Sequence, residues 1–164
     1  MKVRLIFLSV FLACLGLLAF GLYLQHVEQL EPCPLCILQR LAFVATGLTV
    51  LVAATHNPQG IGKAVYAAAL TLFAGLGAGV AGRHVWLQNF PPAKSVICGP
   101  DLEYMLDAFP LSKVLPMIFK GSGDCGNIAW SFLGLSIPGW ALLWFILFVL
   151  AGLAVFFRTL RREK

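Results

Sequence analysis

Cys33-Pro34-Leu35-Cys36-Ile37-Leu38-Gln39-Arg40 runs without a break into the apolar residues 41–54. This stretch sets two cysteines and an arginine at the head of a segment greasy enough for lipid. Glu28, Glu31 and Pro32 stand just before it and mark a boundary with water. A helix starting near Leu35 puts Cys36 in its first turn, where the positive end of the helix dipole favours a thiolate. Gln39 and Arg40 follow at i+3 and i+4 and share a face with Cys36. Arg40 then lies about 6 Å deeper along the axis, at about 1.5 Å per residue. An arginine at bilayer depth costs roughly 2.5–3.5 kcal/mol on insertion scales, so it is expected to have a partner or a task.

The whole chain fits that reading. Of its 164 residues, 60% are hydrophobic and 12% charged, whereas soluble domains carry about 25% charged residues. We expect an all-α integral membrane four-helix bundle, a single membrane domain over residues 1–164. The predicted spans are residues 5–24, 37–54, 64–82 and 138–157, near the roughly 20 residues that cross a bilayer. The third run is rich in alanine and glycine, which permits close helix–helix approach. A β-barrel is not expected, since alternating ten-residue segments are lacking. Phe11-Leu12-Ala13-Cys14 faintly resembles a lipoprotein cleavage site, but the apolar run continues past Cys14 and is read as a retained span.

Basic residues set the predicted orientation. Lys2, Arg4, Lys63, Arg158, Arg161, Arg162 and Lys164 fall on one side against a single acid, Glu163. The other side has Arg40, Arg83, Lys94, Lys113 and Lys120 against Glu28, Glu31, Asp101, Glu103, Asp107 and Asp124. Both termini and the 55–63 connector are therefore expected in the cytoplasm, and the loops 25–36 and 85–137 outside. The basic balance is a matter of topology, so no nucleic-acid partner is implied. His56, in the connector, reads as a solvated loop residue. The 85–137 segment is too long to be a plain connection. Leu102, Met105, Leu106 and Phe109, then Leu111, Val114, Leu115, Ile118 and Phe119, suggest two short amphipathic helices. These lie on the membrane surface or pack on the ends of the spans.

Four of the five cysteines are expected on the outer side, and Cys14 reads as a packing residue in mid-span. Four cysteines allow three connectivities; Cys33/Cys36 and Cys98/Cys125 are the preferred resting pairs. The plain alternative is two stabilising bridges. That alternative holds well for Cys98–Cys125, which would close a long loop. It is weak for Cys33–Cys36, whose loop is too small to restrict the unfolded chain much. No resident metal is expected: a zinc site from paired CxxC motifs needs a second one, and a c-type haem needs a histidine where Ile37 stands. His84 and Gln88 near the end of the third run are expected at the depth of Arg40. Donors from Arg40, His84 or Gln88 would suit a ring-shaped acceptor with two carbonyl oxygens. Snorkelling to the interface is the bland reading of Arg40.

These residues together resemble the disulfide bond formation protein B (DsbB) family, quinone-dependent thiol oxidoreductases of the bacterial inner membrane. The resemblance covers nearly the whole chain. It rests on Cys33, Cys36, Gln39 and Arg40, and on His84 followed by Leu87-Gln88. Gly123-Asp124-Cys125 and Phe132-Leu133-Gly134-Leu135 extend it. It implies one bound ubiquinone, with menaquinone as the alternative, and a DsbA-like periplasmic dithiol oxidase as partner. By the family's mechanism the partner's thiolate attacks Cys98, Cys125 is released to attack Cys33, and Cys36 delivers the electron pair to quinone beside Arg40. Two other functions remain open on the residues alone. A reductase passing electrons outward would need relay cysteines within the membrane, where only Cys14 is expected. An adaptor with a disulfide-held loop would reduce no quinone.

Overall fold

The computed structural model describes residues 2–30, 32–90, 110 and 130–162. Cys98, Cys125 and the two expected amphipathic helices lie outside the described residues. The architecture is all-α: α1 Lys2–His26, α2 Pro34–His56, α3 Ile61–Asn89 and α4 Ile137–Arg162. Each is long and apolar enough to cross a membrane. Only 17% to 33% of each helix's apolar window is buried inside the protein. The rest of that greasy surface, including Leu12, Leu48, Leu72 and Leu150, faces outward. Such a surface needs lipid, as in a multi-pass membrane protein.

The helix ends follow from local chemistry. Cys33 is the N-cap of α2, in extended geometry, and its sulfur accepts from the Cys36 backbone N–H. Pro34 occupies the first turn, where its missing N–H has no intrahelical partner to lose. Asn57 ends α2 in the left-handed conformation at φ 47°, its N–H returning to the Ala53 carbonyl. Gly60, also at positive φ, completes the turn into α3. At about 1.5 Å per residue, the 29 residues of α3 make it longer than the ~30 Å hydrocarbon layer. It therefore continues past Gly82, with Arg83, His84 and Gln88 still helical.

α3 packs most extensively on α4, and α2 on both α1 and α3. Two glycines make the α3–α4 approach close. A Cβ on Gly77 would run into the Phe145 ring, and one on Gly152 into the Thr71 hydroxyl. Phe145 also stacks on Phe43 of α2, with ring centroids 4.0 Å apart. The small residues of α3 are thus used on one face. Ala67, Ala74, Gly77 and Ala81 are buried, while Gly75 and Gly79 meet nothing. Before α4, β1 Ser131–Phe132 and β2 Leu135–Ser136 form a tight antiparallel hairpin. Its two turn residues, Leu133 and Gly134, both have positive φ, as a two-residue hairpin of the favoured hand requires.

Candidate active site

The cap that starts α2 also sets the thiols. Cys33 Sγ and Cys36 Sγ lie 3.1 Å apart, well beyond the ~2.05 Å of a disulfide. Both are free cysteines, with their sulfurs in hydrogen-bond contact. Leu35 fills the space beneath and packs on Leu87 of α3, with Leu38 and Val80 alongside. That contact fixes α3 against the head of α2.

His84 is the α3 residue this packing presents to the thiols. Only 3% of it is exposed. Its Nε2 lies 3.7 Å from Cys33 Sγ, and its Nδ1 4.0 Å from Cys36 Sγ. The Gln39 side-chain nitrogen is 3.1 Å from His84 Nδ1. With Gln39 donating to Nδ1, the ring proton sits on Nε2 and points toward Cys33. Gln39, one turn below Cys36, is itself buried. It supports the imidazole, a role its place in the CxxC stretch does not reveal.

Arg40 turns the other way, toward α1. Its Nη1 donates to Gln25 Oε1, and its Nη2 to the Gly21 carbonyl at 2.8 Å. Partners of this kind make a partly buried guanidinium tolerable at membrane depth. Gln88, one turn beyond His84, accepts a 2.6 Å hydrogen bond from the Ser136 hydroxyl. Trp140 donates to the Phe132 carbonyl at 3.1 Å, and Trp130 meets Phe20 edge-on. The hairpin is thereby tied to α3 and α4 at one end of the bundle.

These groups surround one cavity of about 370 Å³, bordered by Cys36, Arg40, His84, Gln88, Trp130 and Trp140. Most of its wall is apolar. Small-molecule sites have this character: roughly 300–1,000 Å³, apolar, with a few convergent polar groups. The structure brings together Cys33, Cys36, Arg40, His84 and Gln88; Cys98 and Cys125 lie outside the described residues. Gln25 and Ser136, which hold Arg40 and Gln88, carry no mark in the sequence. The partnerships depend on how α1 crosses α2 and where the hairpin folds back. A vicinal cysteine pair beside a buried imidazole, on a cavity that a guanidinium also borders, is suited to thiol–disulfide chemistry.

Comparison with known proteins agrees with this chemistry. The model of the family described as "Disulfide bond formation protein DsbB" matches residues 3–155. The disulfide bond formation protein B of Aromatoleum aromaticum is 56% identical over 140 residues, covering 85% of this chain and 84% of that one. The Marinobacter nauticus protein of the same name is 49% identical over 158 residues, covering 96% and 94%. That of Stutzerimonas stutzeri is 42% identical over 162 residues, covering 98% and 96%. The chain belongs to the disulfide bond formation protein DsbB family.

Proposed function

We propose that this protein is a disulfide-generating oxidoreductase of the bacterial inner membrane. It reoxidises a DsbA-like periplasmic dithiol oxidase and passes the electrons to membrane quinone, ubiquinone or menaquinone. The DsbA–DsbB–quinone chain is established as what keeps the bacterial periplasm oxidising. The observation that carries the reading is the convergence of Cys36, Arg40, His84 and Gln88 on one apolar cavity at the head of α2. Orientation with both termini in the cytoplasm is supported by the seven basic residues against Glu163 on that side.

The cavity fits a quinone in kind: an apolar space for a ring, with hydrogen-bond donors at its polar end. Bound quinone supplies an acceptor for two electrons and two protons. The partner dithiol loses two electrons and two protons on becoming a disulfide; the Cys98–Cys125 pair takes them up, and then the Cys33–Cys36 pair does. Closing Cys33–Cys36 means drawing the sulfurs together from 3.1 Å while the two thiol protons leave. His84 Nε2–H, 3.7 Å from Cys33 Sγ, can donate its hydrogen to that sulfur as a thiolate develops there. Arg40, held by Gln25 and the Gly21 carbonyl, puts a positive charge on the wall of the cavity that Cys36 also borders. Gln88 is held through its oxygen by Ser136, which leaves its amide N–H groups to donate into the cavity.

The test is quinone reduction by the purified chain in lipid nanodiscs, with a reduced DsbA-like partner and each quinone in turn. Partner oxidation should match quinol formed one to one. Absence of quinol formation with either quinone would remove the reading.

A further inference from the structure

Cys33, Cys36 and His84 each offer one ligand atom, and these atoms lie within 4.8 Å of one another. We propose that the reduced pair and His84 form a redox-gated site for a thiophilic cation, Zn²⁺ or its analogue Cd²⁺, and that occupancy arrests the enzyme in its dithiol state. Two thiolates and an imidazole are the soft and borderline donors that select such ions. The third ligand comes from α3, 48 residues beyond Cys36, so no local spacing motif reveals it.

The geometry needs little adjustment. Tetrahedral zinc, with bonds of about 2.3 Å to sulfur and 2.0–2.1 Å to nitrogen, sets S···S near 3.8 Å and S···N near 3.6 Å. The sulfurs stand at 3.1 Å, and Cys33 Sγ to His84 Nε2 at 3.7 Å. Binding requires the sulfurs to part slightly and Cys36 Sγ, now 4.0 Å from Nδ1, to turn toward Nε2. Nε2 is the ligating nitrogen, because Nδ1 faces Gln39. Turning the Gln39 amide presents its oxygen to Nδ1–H and frees the Nε2 lone pair. A carbonyl behind a ligating histidine is the usual outer support of a metal site. Three protein ligands leave the fourth tetrahedral position for water.

As the two metal–sulfur bonds form, the two thiol protons leave to solvent and no electrons move. Once both sulfurs are bound they cannot join each other, so oxidation stops. The disulfide form has no thiolates to offer, so the site exists in one redox state alone.

The test uses full-length Cys98→Ser/Cys125→Ser protein in nanodiscs, so that the loop cysteines hold no metal. Titrating the dithiol form with Cd²⁺ should give thiolate-to-metal absorption saturating at one equivalent, and the disulfide form none. X-ray absorption of the zinc-loaded form should show two sulfurs and one imidazole. His84→Ala should weaken binding at least tenfold, and Gln39→Leu also about tenfold. Bound Zn²⁺ should slow oxidation by the small oxidant diamide at least tenfold, reversibly with chelator. That arm needs no quinone, so it stands apart from the proposed electron acceptor. No saturable binding, or sulfur-only coordination with His84→Ala unchanged, would overturn the site. Unslowed diamide oxidation of the loaded protein would overturn the arrest. The absorption spectrum of unmutated Cys33, Cys36 and His84 decides the coordination even where a variant misfolds.

Discussion

At the connector end of the bundle, His56 Nδ1 meets the Tyr66 hydroxyl at 3.1 Å, ten residues along the chain and exposed. At the other end, His84 meets Cys33 across 51 residues and is buried. The contrast extends to the neighbours. Lys63 bonds Gln59 four residues away, whereas Arg40 reaches Gln25 across 15 and Ser136 reaches Gln88 across 48. Short-range polar contacts close a turn and tie no distant parts together. Long-range ones persist because packing has already delivered their partners. Polar residues at a membrane boundary are therefore uninformative by type; what separates the ends is whether side chains from distant parts of the chain line a shared cavity.

The strongest way to break this comparison is Cys36→Ser. On the proposed reading it leaves the cavity intact and removes the sulfur beside it. Quinone reduction should fall to background, while the helical circular dichroism stays as in the parent. Residual turnover above a tenth of the parent rate would show that the head of α2 is not where electrons leave.

Arg40→Ala comes next. Hydrogen bonds to a charged group are worth about 1.5–3 kcal/mol, so kcat/KM for quinone should fall on the order of tenfold to a hundredfold. Arg40→Lys keeps the charge but loses the planar fork, so it should raise the quinone KM more than it lowers kcat. Steady-state assays over a range of quinone concentrations separate the two. Equal kinetics in all three proteins would return Arg40 to a purely interfacial role.

The head was partly legible from residues 33–40 alone. Helical spacing puts Gln39 and Arg40 near Cys36, and all three border the cavity, but Gln39 reaches His84 while Arg40 turns to α1. Hydropathy found the four membrane runs but stopped short of the helix ends. Cap chemistry, not apolarity, ends α2 at Asn57, and α3 stays helical through the polar stretch to Asn89. The small-residue richness of the third run was visible, yet only tertiary contact shows that Gly77 and not Gly79 meets α4. Trp130 and Trp140 reach the cavity from the far end of the chain. Nothing local in their segment signals a hairpin folding back over α3.

Gln25 sharpens the comparison further. It touches neither thiol; it holds the guanidinium that borders the cavity, and so acts as a positioning residue. Gln25→Leu keeps the side chain's approximate size and removes the acceptor. The Gly21 carbonyl still holds Nη2, so the loss in kcat/KM should be modest, about threefold to tenfold by partial loss of a charge-assisted contact. Its signature is non-additivity: in an Arg40→Ala background, Gln25→Leu should change kcat/KM by less than twofold, since coupled residues share one effect. A full independent loss in that background would mean Gln25 acts through α1 packing and not through Arg40.

The smallest expected effect lies at the connector end and tests the contrast itself. His56→Ala removes the same side chain that His84→Ala removes, from an exposed position with one polar partner, Tyr66, and an edge-on ring contact at 6.0 Å. Surface substitutions away from buried networks usually shift stability by about 0.5 kcal/mol or less, and neither His56 nor Tyr66 lines the cavity at the opposite end. Quinone reduction by His56→Ala should therefore match the parent within twofold, with an unfolding midpoint that barely moves. His84→Ala should lose at least tenfold in the same assay, because it leaves the Gln39 amide buried without its partner and takes the imidazole from Cys33. Should the two variants lose activity alike, the chemistry would depend on the bundle as a whole, and the convergence at the head of α2 would be packing without function.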